Sequence, residues 1–404
     1  MSHASHHGRV VSLKVLIVGA GLAGLRTAES LRGVGFAGEI TIVGEEPHFP
    51  YNRPPLSKDA LAQGLEIAGL EFKRRESVAD VTWVFDDSAI STDYQKQNVL
   101  LDSGHLESFD VLVAATGIRP RVLKVPGADK SKFSLRNFEE AQALRTSMLS
   151  VQKIVIVGAG FIGCEIAATA RKLGIEVAVV AADPEPMFRP LGAEFGSAMR
   201  RRHEDHGVEF HMNAKITGYL GGDSATGVSL ESGEEILGDL VVEAIGSLPN
   251  TEWLAGGELD LQDGVLVDSS MRATAPSDLS IYAVGDVARY AFDLFDSTPR
   301  RIEHWNLPTE TGRRAGKSIA HFLTTGEVLA EPVNFVPSFW SDQYDDNLQS
   351  FGIPGIADSI KVVEGDLMGD CVVEYLRGDN VVGVVGVNTS AKLAPYRKRF
   401  QEIN

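Results

Sequence analysis

The chain has 404 residues, a length that predicts two or three domains because a single hydrophobic core rarely grows beyond ~250–300 residues. Its 38 basic and 55 acidic residues give a net charge of −17, which disfavours binding to nucleic acid or to an anionic membrane surface. Only two cysteines are present, without a Cys-x-x-Cys motif, and no apolar run reaches the ~18–20 residues of a membrane span. The composition therefore favours a cytoplasmic location and excludes a disulfide framework.

The first predicted element is a strand at Lys14–Val18, followed at once by the motif Gly19-Ala20-Gly21-Leu22-Ala23-Gly24. A helix is predicted over residues 25–31 and a second strand at Glu39–Val43. The same order returns with a strand at Lys153–Val157, the motif Gly158-Ala159-Gly160-Phe161-Ile162-Gly163, a helix over 164–173 and a strand over 177–180. The chain therefore carries two βαβ units.

Each glycine motif has a physical reason in a dinucleotide-binding unit. The first glycine allows the tight turn, the second lets the backbone approach a pyrophosphate, and the third lets the helix pack closely. The phosphates then lie at the helix N-terminus, where free N–H groups and the helix dipole favour negative charge. One such motif is weak support, but two complete copies in βαβ context predict that two dinucleotides bind.

The residue after the second strand of each unit bears on which dinucleotide binds, because an acidic side chain there accepts hydrogen bonds from ribose hydroxyls. The first unit provides Glu45, with Glu46 beside it, which fits FAD or NAD. The second unit reads Ala181-Ala182-Asp183, with Arg189 as the nearest arginine. The sequence therefore leaves both NADH and NADPH open for the second unit.

The remaining pattern completes the predicted fold class. Strands are predicted over 111–115, 240–244 and 281–284, each ending in a glycine-containing turn. From about residue 332, apolar strands over 335–340, 360–363, 371–375 and 381–387 lack a third glycine motif. The prediction is an α/β protein with two Rossmann-like dinucleotide-binding domains and a C-terminal α+β domain.

Several motifs carry a family resemblance. The most specific is Arg53-Pro54-Pro55-Leu56-Ser57-Lys58, and the others are Ala115-Thr116-Gly117, Val284-Gly285-Asp286, Glu303-His304-Trp305 and Phe339-Trp340-Ser341-Asp342-Gln343. With the doubled glycine motif they resemble the oxygenase-coupled, FAD-dependent NAD(P)H:ferredoxin reductases of the glutathione reductase superfamily. The resemblance implies a discontinuous FAD domain over 10–120 and 252–331, a NAD(P) domain over 121–251 and an interface domain over 332–404.

The cysteine pattern agrees with this resemblance. Disulfide reductases of the superfamily need a redox cysteine pair beside the flavin, but the stretch after the first unit has none. Cys164 follows the last glycine of the second motif, where a small structural residue suffices. Electrons would therefore leave the flavin directly and singly, which suits an iron–sulfur acceptor.

The resemblance also implies roles for single residues. Lys58 would lie near flavin N5, and Glu165 would pair with it and touch the nicotinamide, although an acidic residue near a helix N-terminus is an alternative reading of Glu165. Asp286 would bind the ribityl chain, with a helix N-cap as its alternative. Arg53 would neutralise phosphate or orient its loop.

Tryptophans and glycines complete the predicted site. Trp340 would line the exposed flavin edge, with Trp305 nearby, although isolated tryptophans more often belong to a core. Gly19, Gly21, Gly24 and Glu45 would hold the ADP half of FAD; Gly158, Gly160 and Gly163 would hold the nicotinamide dinucleotide, with Arg189 as a further contact. The other predicted cofactor-binding residues are Leu22, Ala23, Ala115, Thr116, Gly117, Arg136, Phe161, Ile162, Gly246, Gly285 and His304, and no metal site is predicted.

The function that this resemblance implies is electron transfer from NADH, or NADPH, through FAD to a small [2Fe-2S] ferredoxin. The ferredoxin would serve a haem-thiolate monooxygenase or a Rieske dioxygenase, and no nucleic acid or membrane partner is expected. The alternatives are a rubredoxin or monodehydroascorbate-type reductase and a redox-sensing flavoprotein of the apoptosis-inducing-factor type. Candidate docking clusters for an acidic ferredoxin are Arg300-Arg301, Arg313-Arg314 with Lys317, and Arg397-Lys398-Arg399.

Overall fold

The structure is a computed structural model that describes residues 13–128, 130–274 and 279–402. The ends of the predicted domains at residues 10 and 404 thus lie outside the described residues. The elements up to residue 128 are β1 (Lys14–Val18), α1 (Leu22–Gly33), β2 (Glu39–Val43), α2 (Asp59–Gln63), β3 (Thr82–Val84), β4 (Ala89–Asp93), β5 (Asn98–Leu101), β6 (Leu106–Ser108), β7 (Val111–Ala114) and β8 (Ile118–Pro120).

The central part of the chain continues in the same α/β pattern. Its elements are β9 (Lys132–Phe133), α3 (Phe138–Met148), β10 (Lys153–Val157), α4 (Phe161–Lys172), β11 (Glu176–Val180), α5 (Phe188–Asp205), β12 (Val208–His211), β13 (Ile216–Tyr219), β14 (Gly227–Leu230), β15 (Glu235–Leu237), β16 (Leu240–Glu243) and β17 (Ser247–Pro249).

The last part of the chain is richer in antiparallel strands. Its elements are β18 (Val265–Leu266), β19 (Ser280–Ala283), β20 (Ala288–Phe292), β21 (Asp296–Arg300), α6 (Leu307–Thr325), β22 (Ser338–Gln343), β23 (Asp346–Gly352), β24 (Ser359–Gly365), β25 (Cys371–Arg377), β26 (Asn380–Val387) and α7 (Ser390–Glu402).

Two five-stranded parallel sheets form the framework. The first has the order β19-β7-β1-β2-β3 and the second β12-β11-β10-β16-β9. The central strands of both sheets are buried on both faces, as expected for parallel sheets covered by helices. A third, antiparallel sheet of order β22-β23-β26-β25-β24 carries the C-terminal part. The predicted fold class is confirmed.

The strands of the two βαβ units begin and end close to their predicted positions, but the helices begin earlier than predicted. Helix α1 begins at Leu22 and α4 at Phe161, directly after Gly21 and Gly160, which occupy the N-cap positions. The third glycine of each motif is therefore inside the helix. The prediction treated the whole motif as a turn, whereas its second half is the first helical turn.

The C-terminal prediction was wrong in two places. Strand β22 begins at Ser338, after Pro337, and not at residue 335; a proline cannot donate a ladder hydrogen bond, and Phe335 and Val336 are buried in hydrophobic clusters. Strand β23, which pairs with β22, was not predicted, because its polar sequence Asp-Asn-Leu-Gln-Ser-Phe-Gly has little β-strand character.

Helix α6 lies across α1 at a distance that depends on glycine. An added Cβ at Gly312 would be 2.7 Å from the carbonyl oxygen of Ala23 and 3.1 Å from the Thr27 nitrogen. At Gly316 it would be 2.5 Å from Cβ of Ser30. The two helices can only approach this closely because neither position carries a side chain. This contact holds the start of α1 in place.

We expect Gly312→Val to force α6 away from α1 and to lower the free energy of unfolding by about 1–3 kcal/mol, the usual cost of overpacking. Chemical denaturation followed by circular dichroism would measure the change. Gly33→Ala is the matched control, since an added Cβ at Gly33 in α1 meets no atom within 4 Å. Equal stability of Gly312→Val and the wild type would contradict the close contact.

Candidate functional site

One large cavity of about 680 Å³ is lined by most of the predicted site residues. A volume of this size is typical of cofactor and ligand sites. The first glycine motif, the segment after β2 and the segment 53–58 form one side of it, and β22 closes another. The predicted residues that line it are Gly19, Gly21, Leu22, Ala23, Glu45, Arg53, Lys58, Ala115, Thr116, Gly117, Arg136, Phe161, Ile162, Glu165, Gly285, Asp286, His304, Trp305 and Trp340.

The start of α1 has the shape that a pyrophosphate requires. Gly19 has φ +121°, and an added Cβ there would be 2.1 Å from the carbonyl oxygen of Ala115. At Gly21 an added Cβ meets no atom within 4 Å, and no side chain caps the helix. The N-terminal N–H groups of α1 therefore open onto the cavity, where they could bind an anion. The residues present fit the diphosphate of a dinucleotide.

A network of three side chains fixes the segment that follows β2. Glu46 accepts hydrogen bonds from Arg53 Nη2 at 2.5 Å and from the Tyr51 hydroxyl at 2.5 Å. Burial raises the pKa of Glu46, but Arg53 and Tyr51 more than offset this, so the net shift is downward. Arg53 Nη1 also donates to the Arg136 carbonyl at 2.7 Å. Arg53 thus makes the contacts expected of a residue that orients its loop, and Glu45 is left exposed beside the cavity.

Asp286 lines the cavity beside the start of α1, since an added Cβ at the preceding Gly285 would be 2.9 Å from Cβ of Ala23. It belongs to a 3₁₀ turn at Gly285–Val287, which leads into strand β20, so the alternative that it caps a helix is wrong. Arg136 Nη2 is 3.6 Å from Asp286 Oδ2. Burial raises the pKa of the Asp286 carboxyl, although the charge of Arg136 acts in the other direction.

The predicted pair between Lys58 and Glu165 is present. The Lys58 ammonium is 2.9 Å from Glu165 Oε1, and the carboxylate is buried. Helix α4 begins at Phe161, one turn before Glu165, so the alternative that Glu165 is a first-turn helix charge is wrong. Glu165 also accepts hydrogen bonds from Ser57 Oγ at 2.5 Å and from Ser341 Oγ at 2.6 Å.

The two predicted tryptophans do not belong to a core. Trp305 is 38% exposed, and its ring stands 5.2 Å from that of Trp340 at 72°. Trp305 Nε1 donates to Asn52 Oδ1 at 3.0 Å. His304 packs edge-on against Phe339, and its Nδ1 has no hydrogen-bond partner within the described ranges. The surrounding protein lowers the pKa of His304 to about 4, so the ring is neutral at physiological pH.

Six predicted residues do not line this cavity: Gly24, Gly158, Gly160, Gly163, Gly246 and Arg189. Four of them surround the start of α4 in the second unit; an added Cβ at Gly158 would be 2.3 Å from the Ala244 carbonyl oxygen, just before Gly246. Arg189 is an exposed side chain that pairs with Asp183, Nε to Oδ1, at 3.5 Å. The acid and the arginine that follow β11 thus form an ion pair at the surface.

The cysteines and the basic clusters also have defined surroundings. Cys164 and Cys371 are both fully buried, and burial raises the pKa of each thiol.

The basic clusters are largely engaged in ion pairs. Arg300 pairs with Asp296, Arg301 with Asp263 and Glu303, and the buried Arg314 with Glu331. Lys398 pairs with Glu402 and Arg399 with Glu374. Most of the predicted docking charge is therefore already compensated within the chain.

The sequence did not predict the two hydroxyl groups that donate hydrogen bonds to Glu165. Ser57 belongs to the Arg-Pro-Pro-Leu-Ser-Lys motif and Ser341 to the Phe-Trp-Ser-Asp-Gln motif. They lie 108 and 176 residues from Glu165 along the chain. No local pattern indicates that they meet at one carboxylate.

In the part of the chain that the structure describes, no helix has the length and apolar character needed to cross a bilayer. Within the same residues, no group of three or more potential ligands for a metal ion comes together.

The chain resembles known proteins over nearly its whole length. Residues 13–312 match the model of the pyridine nucleotide-disulphide oxidoreductase family, and residues 338–403 match a reductase C-terminal model. Rhodocoxin reductase of Rhodococcus erythropolis is 35% identical, covering 93% of this chain and 86% of that protein. The ferredoxin–NAD(+) reductase component of the anthranilate 1,2-dioxygenase system of Burkholderia cepacia is 33% identical, covering 95% and 93%.

A solved structure shows the same similarity. The covalent complex of putidaredoxin reductase with putidaredoxin superposes with a TM-score of 0.87 at 30% sequence identity, covering 96% of this chain and 93% of that one. The fold expected from the sequence motifs, and the resemblance itself, are both confirmed.

Proposed function

Because the chain belongs to the pyridine nucleotide-disulphide oxidoreductase family and is an FAD-dependent NADH:ferredoxin reductase within it, we propose that its acceptor is a small [2Fe-2S] ferredoxin serving an oxygenase. The observation that carries this proposal is the buried Lys58–Glu165 pair at a cavity that opens beside Trp305 and Trp340, with no cysteine in its lining. The redox-sensing alternative is not favoured, since the relatives are reductases that act with electron carriers.

Different groups around the cavity would bind different parts of FAD. The N-terminus of α1 and the turn at Gly19 would hold the pyrophosphate, Glu45 the adenosine ribose and Asp286 the ribityl chain. Bound FAD would supply hydride acceptance from NADH and release of electrons one at a time. Arg136 would compensate the charge of Asp286, which it already approaches.

Lys58 would place a fixed positive charge at the redox centre. Its ammonium is held by Glu165 and by the carbonyl of Pro54 at 3.3 Å, so its position is set before any ligand enters. A preorganised cation stabilises negative charge that develops during reduction without a reorganisation cost. Trp340 and Trp305 would border the route by which electrons reach the acceptor.

The second glycine motif would bind NADH. The N-terminus of α4 has the same open cap as α1, and Gly158, Gly160, Gly163 and Gly246 surround it. Phe161, Ile162 and Glu165 reach from that helix into the cavity, which would bring a nicotinamide to it. The pairing of Asp183 with Arg189 would keep the arginine from a 2′-phosphate, which favours NADH over NADPH.

The predicted division into domains and the cellular location belong to the same proposal. A discontinuous FAD domain over 10–120 and 252–331 is supported by the place of β19 next to β7. A NAD(P) domain over 121–251 and an interface domain over 332–404 are supported by the second and third sheets. Two buried, unpaired cysteines fit a reducing compartment such as the cytoplasm.

The purified holoprotein should show rapid loss of flavin absorbance when mixed anaerobically with NADH, and the reduced protein should then pass electrons to a [2Fe-2S] ferredoxin. Stopped-flow absorbance measures both steps, with NADPH, rubredoxin and monodehydroascorbate in parallel. No bleaching by NADH would contradict the reductase function. Faster transfer to rubredoxin than to any ferredoxin tried would contradict only the proposed acceptor.

We expect Lys58→Met to lower the limiting rate of flavin reduction by NADH by roughly 10- to 100-fold while FAD remains bound, since one preorganised charge is lost. Rapid-mixing absorbance gives the rate and the flavin-to-protein absorbance ratio gives the FAD content. Lys361→Met, on the exposed face of β24, is the matched control. A wild-type rate in Lys58→Met would remove Lys58 from the mechanism.

Asp183→Ala should release Arg189 from its partner and move the preference toward NADPH. A single ionic contact with the 2′-phosphate predicts a shift of about tenfold or more in the ratio of kcat/KM values for the two coenzymes. Steady-state kinetics with each coenzyme measure the ratio, and the double variant Asp183→Ala, Arg189→Ala is the control that should lose the gain. An unchanged ratio in both variants would place the coenzyme preference elsewhere.

A further inference from the structure

A continuous row of buried polar side chains leads from Glu165 into the C-terminal part of the chain. Ser341 Oγ donates to Glu165 Oε1 at 2.6 Å, and Gln343 Nε2 donates to Ser341 Oγ at 3.0 Å. His203 Nε2 is 2.8 Å from Gln343 Oε1, and the Tyr344 hydroxyl is 3.2 Å from His203 Nδ1. Ser341, Gln343 and His203 are all fully buried. Ser341 and Gln343 share the buried face of β22, but nothing in the sequence indicates that they meet Glu165 and His203.

The hydrogen bonds of this row all run in one direction. Gln343 Oε1 can only accept, so His203 must carry its proton on Nε2. Nδ1 is then an acceptor and accepts a hydrogen bond from the Tyr344 hydroxyl. With the Gln343 amide donating to it, the Ser341 hydroxyl is free to direct its own hydrogen onto Glu165. Each donor therefore points toward the carboxylate.

Burial supports the same assignment for the histidine. The surrounding protein lowers the pKa of His203 to about 4, so the ring is neutral and a single tautomer can complete the row. The Met187 sulfur, 3.7 Å from Gln343 Nε2, accepts a weak hydrogen bond from the second amide N–H of Gln343. At the outer end, the partly exposed Tyr344 ring stacks on His206 with centroids 3.7 Å apart.

We propose that Ser341, Gln343 and His203 are positioning residues for the reaction: they hold the Glu165 carboxylate in the orientation that fixes Lys58 in the cavity. The kinetic consequence of this inference rests on the proposed function, whereas the row itself does not. Hydrogen bonds from the C-terminal sheet thus set the geometry of an ion pair formed by two other segments of the chain. Glu165 joins residues from three elements: the 3₁₀ turn at Pro54–Ser57, helix α4 and strand β22.

Replacement of Ser341 tests the inner end of the row. We expect Ser341→Ala to lower the limiting rate of flavin reduction by NADH about 10-fold or more, because a small misplacement of a catalytic group is costly, with little change in the apparent dissociation constant for NADH. Ser341→Thr keeps the hydroxyl and should restore most of the rate. Stopped-flow traces over a range of NADH concentrations separate the limiting rate from the dissociation constant.

Ser350→Ala is the matched control. Ser350 lies on the adjacent strand β23, opposite Phe339, and its hydroxyl is buried without a hydrogen-bond partner in the described part of the chain. Removing it changes the packing of the same sheet but leaves the row intact. A wild-type rate in Ser341→Ala, or equal losses in Ser341→Ala and Ser350→Ala, would overturn the proposal.

A second measurement does not depend on turnover. Nitrogen-15 NMR of histidine-labelled holoprotein should show His203 as the neutral tautomer with its proton on Nε2 between pH 6 and pH 8. In Gln343→Leu, which removes the acceptor, the Nε2 and Hε2 chemical shifts of His203 should move because Nε2–H loses its hydrogen bond, whereas the Tyr344 hydroxyl can still donate to Nδ1. A His203 ring protonated on Nδ1 in the wild type, or Nε2 and Hε2 shifts unaffected by Gln343→Leu, would overturn the row even if the protein is a reductase.

The two experiments separate this inference from the proposed function. If NADH does not bleach the flavin of the wild type, the proposed function fails while the histidine spectra still decide whether the row exists. If bleaching is fast and the spectra lack the predicted tautomer, only the positioning role fails.

Discussion

The Lys58–Glu165 ion pair is the interaction on which the site depends, and it is a costly one to bury. Taking both charges out of water is repaid only if the remaining hydrogen-bonding capacity of each group is satisfied. Glu165 meets this condition through Ser57 and Ser341, and Lys58 through the carbonyl of Pro54. The pair therefore requires that the segment before α2, helix α4 and strand β22 all reach their final positions together.

Features set by local sequence could be predicted, whereas those set by contacts between distant segments, as at Glu165, could not. The strands of both βαβ units follow from short apolar runs, and the glycine motifs locate the turns, because those signals are local. The helix starts were placed too late, since the same glycines were read as loop. The ligands of Glu165 and the polar strand β23 could not be predicted, because their placement is decided by contacts distant in sequence.

Charge in this protein is organised locally. The chain as a whole carries −17, yet the cavity wall brings together Lys58, Arg53 and Arg136, each facing a carboxylate partner. Most of the basic clusters that could have attracted an acidic carrier are paired internally; the exposed Arg313 and Lys317 on α6 and Arg397 on α7 are exceptions, with no ion pair to other described residues. Long-range attraction to a partner would therefore depend on a few side chains.

The position of β19 in the first sheet has a consequence for how the chain is made. Strand β7 pairs with β1 on one side and with β19 on the other, and β19 lies at Ser280–Ala283. During synthesis one edge of β7 stays unpaired until β19, which lies more than a hundred residues further along the chain, has left the ribosome. The second parallel sheet contains only residues between 132 and 243, so it can close first. The unit that begins the sequence is thus the later of the two to become complete.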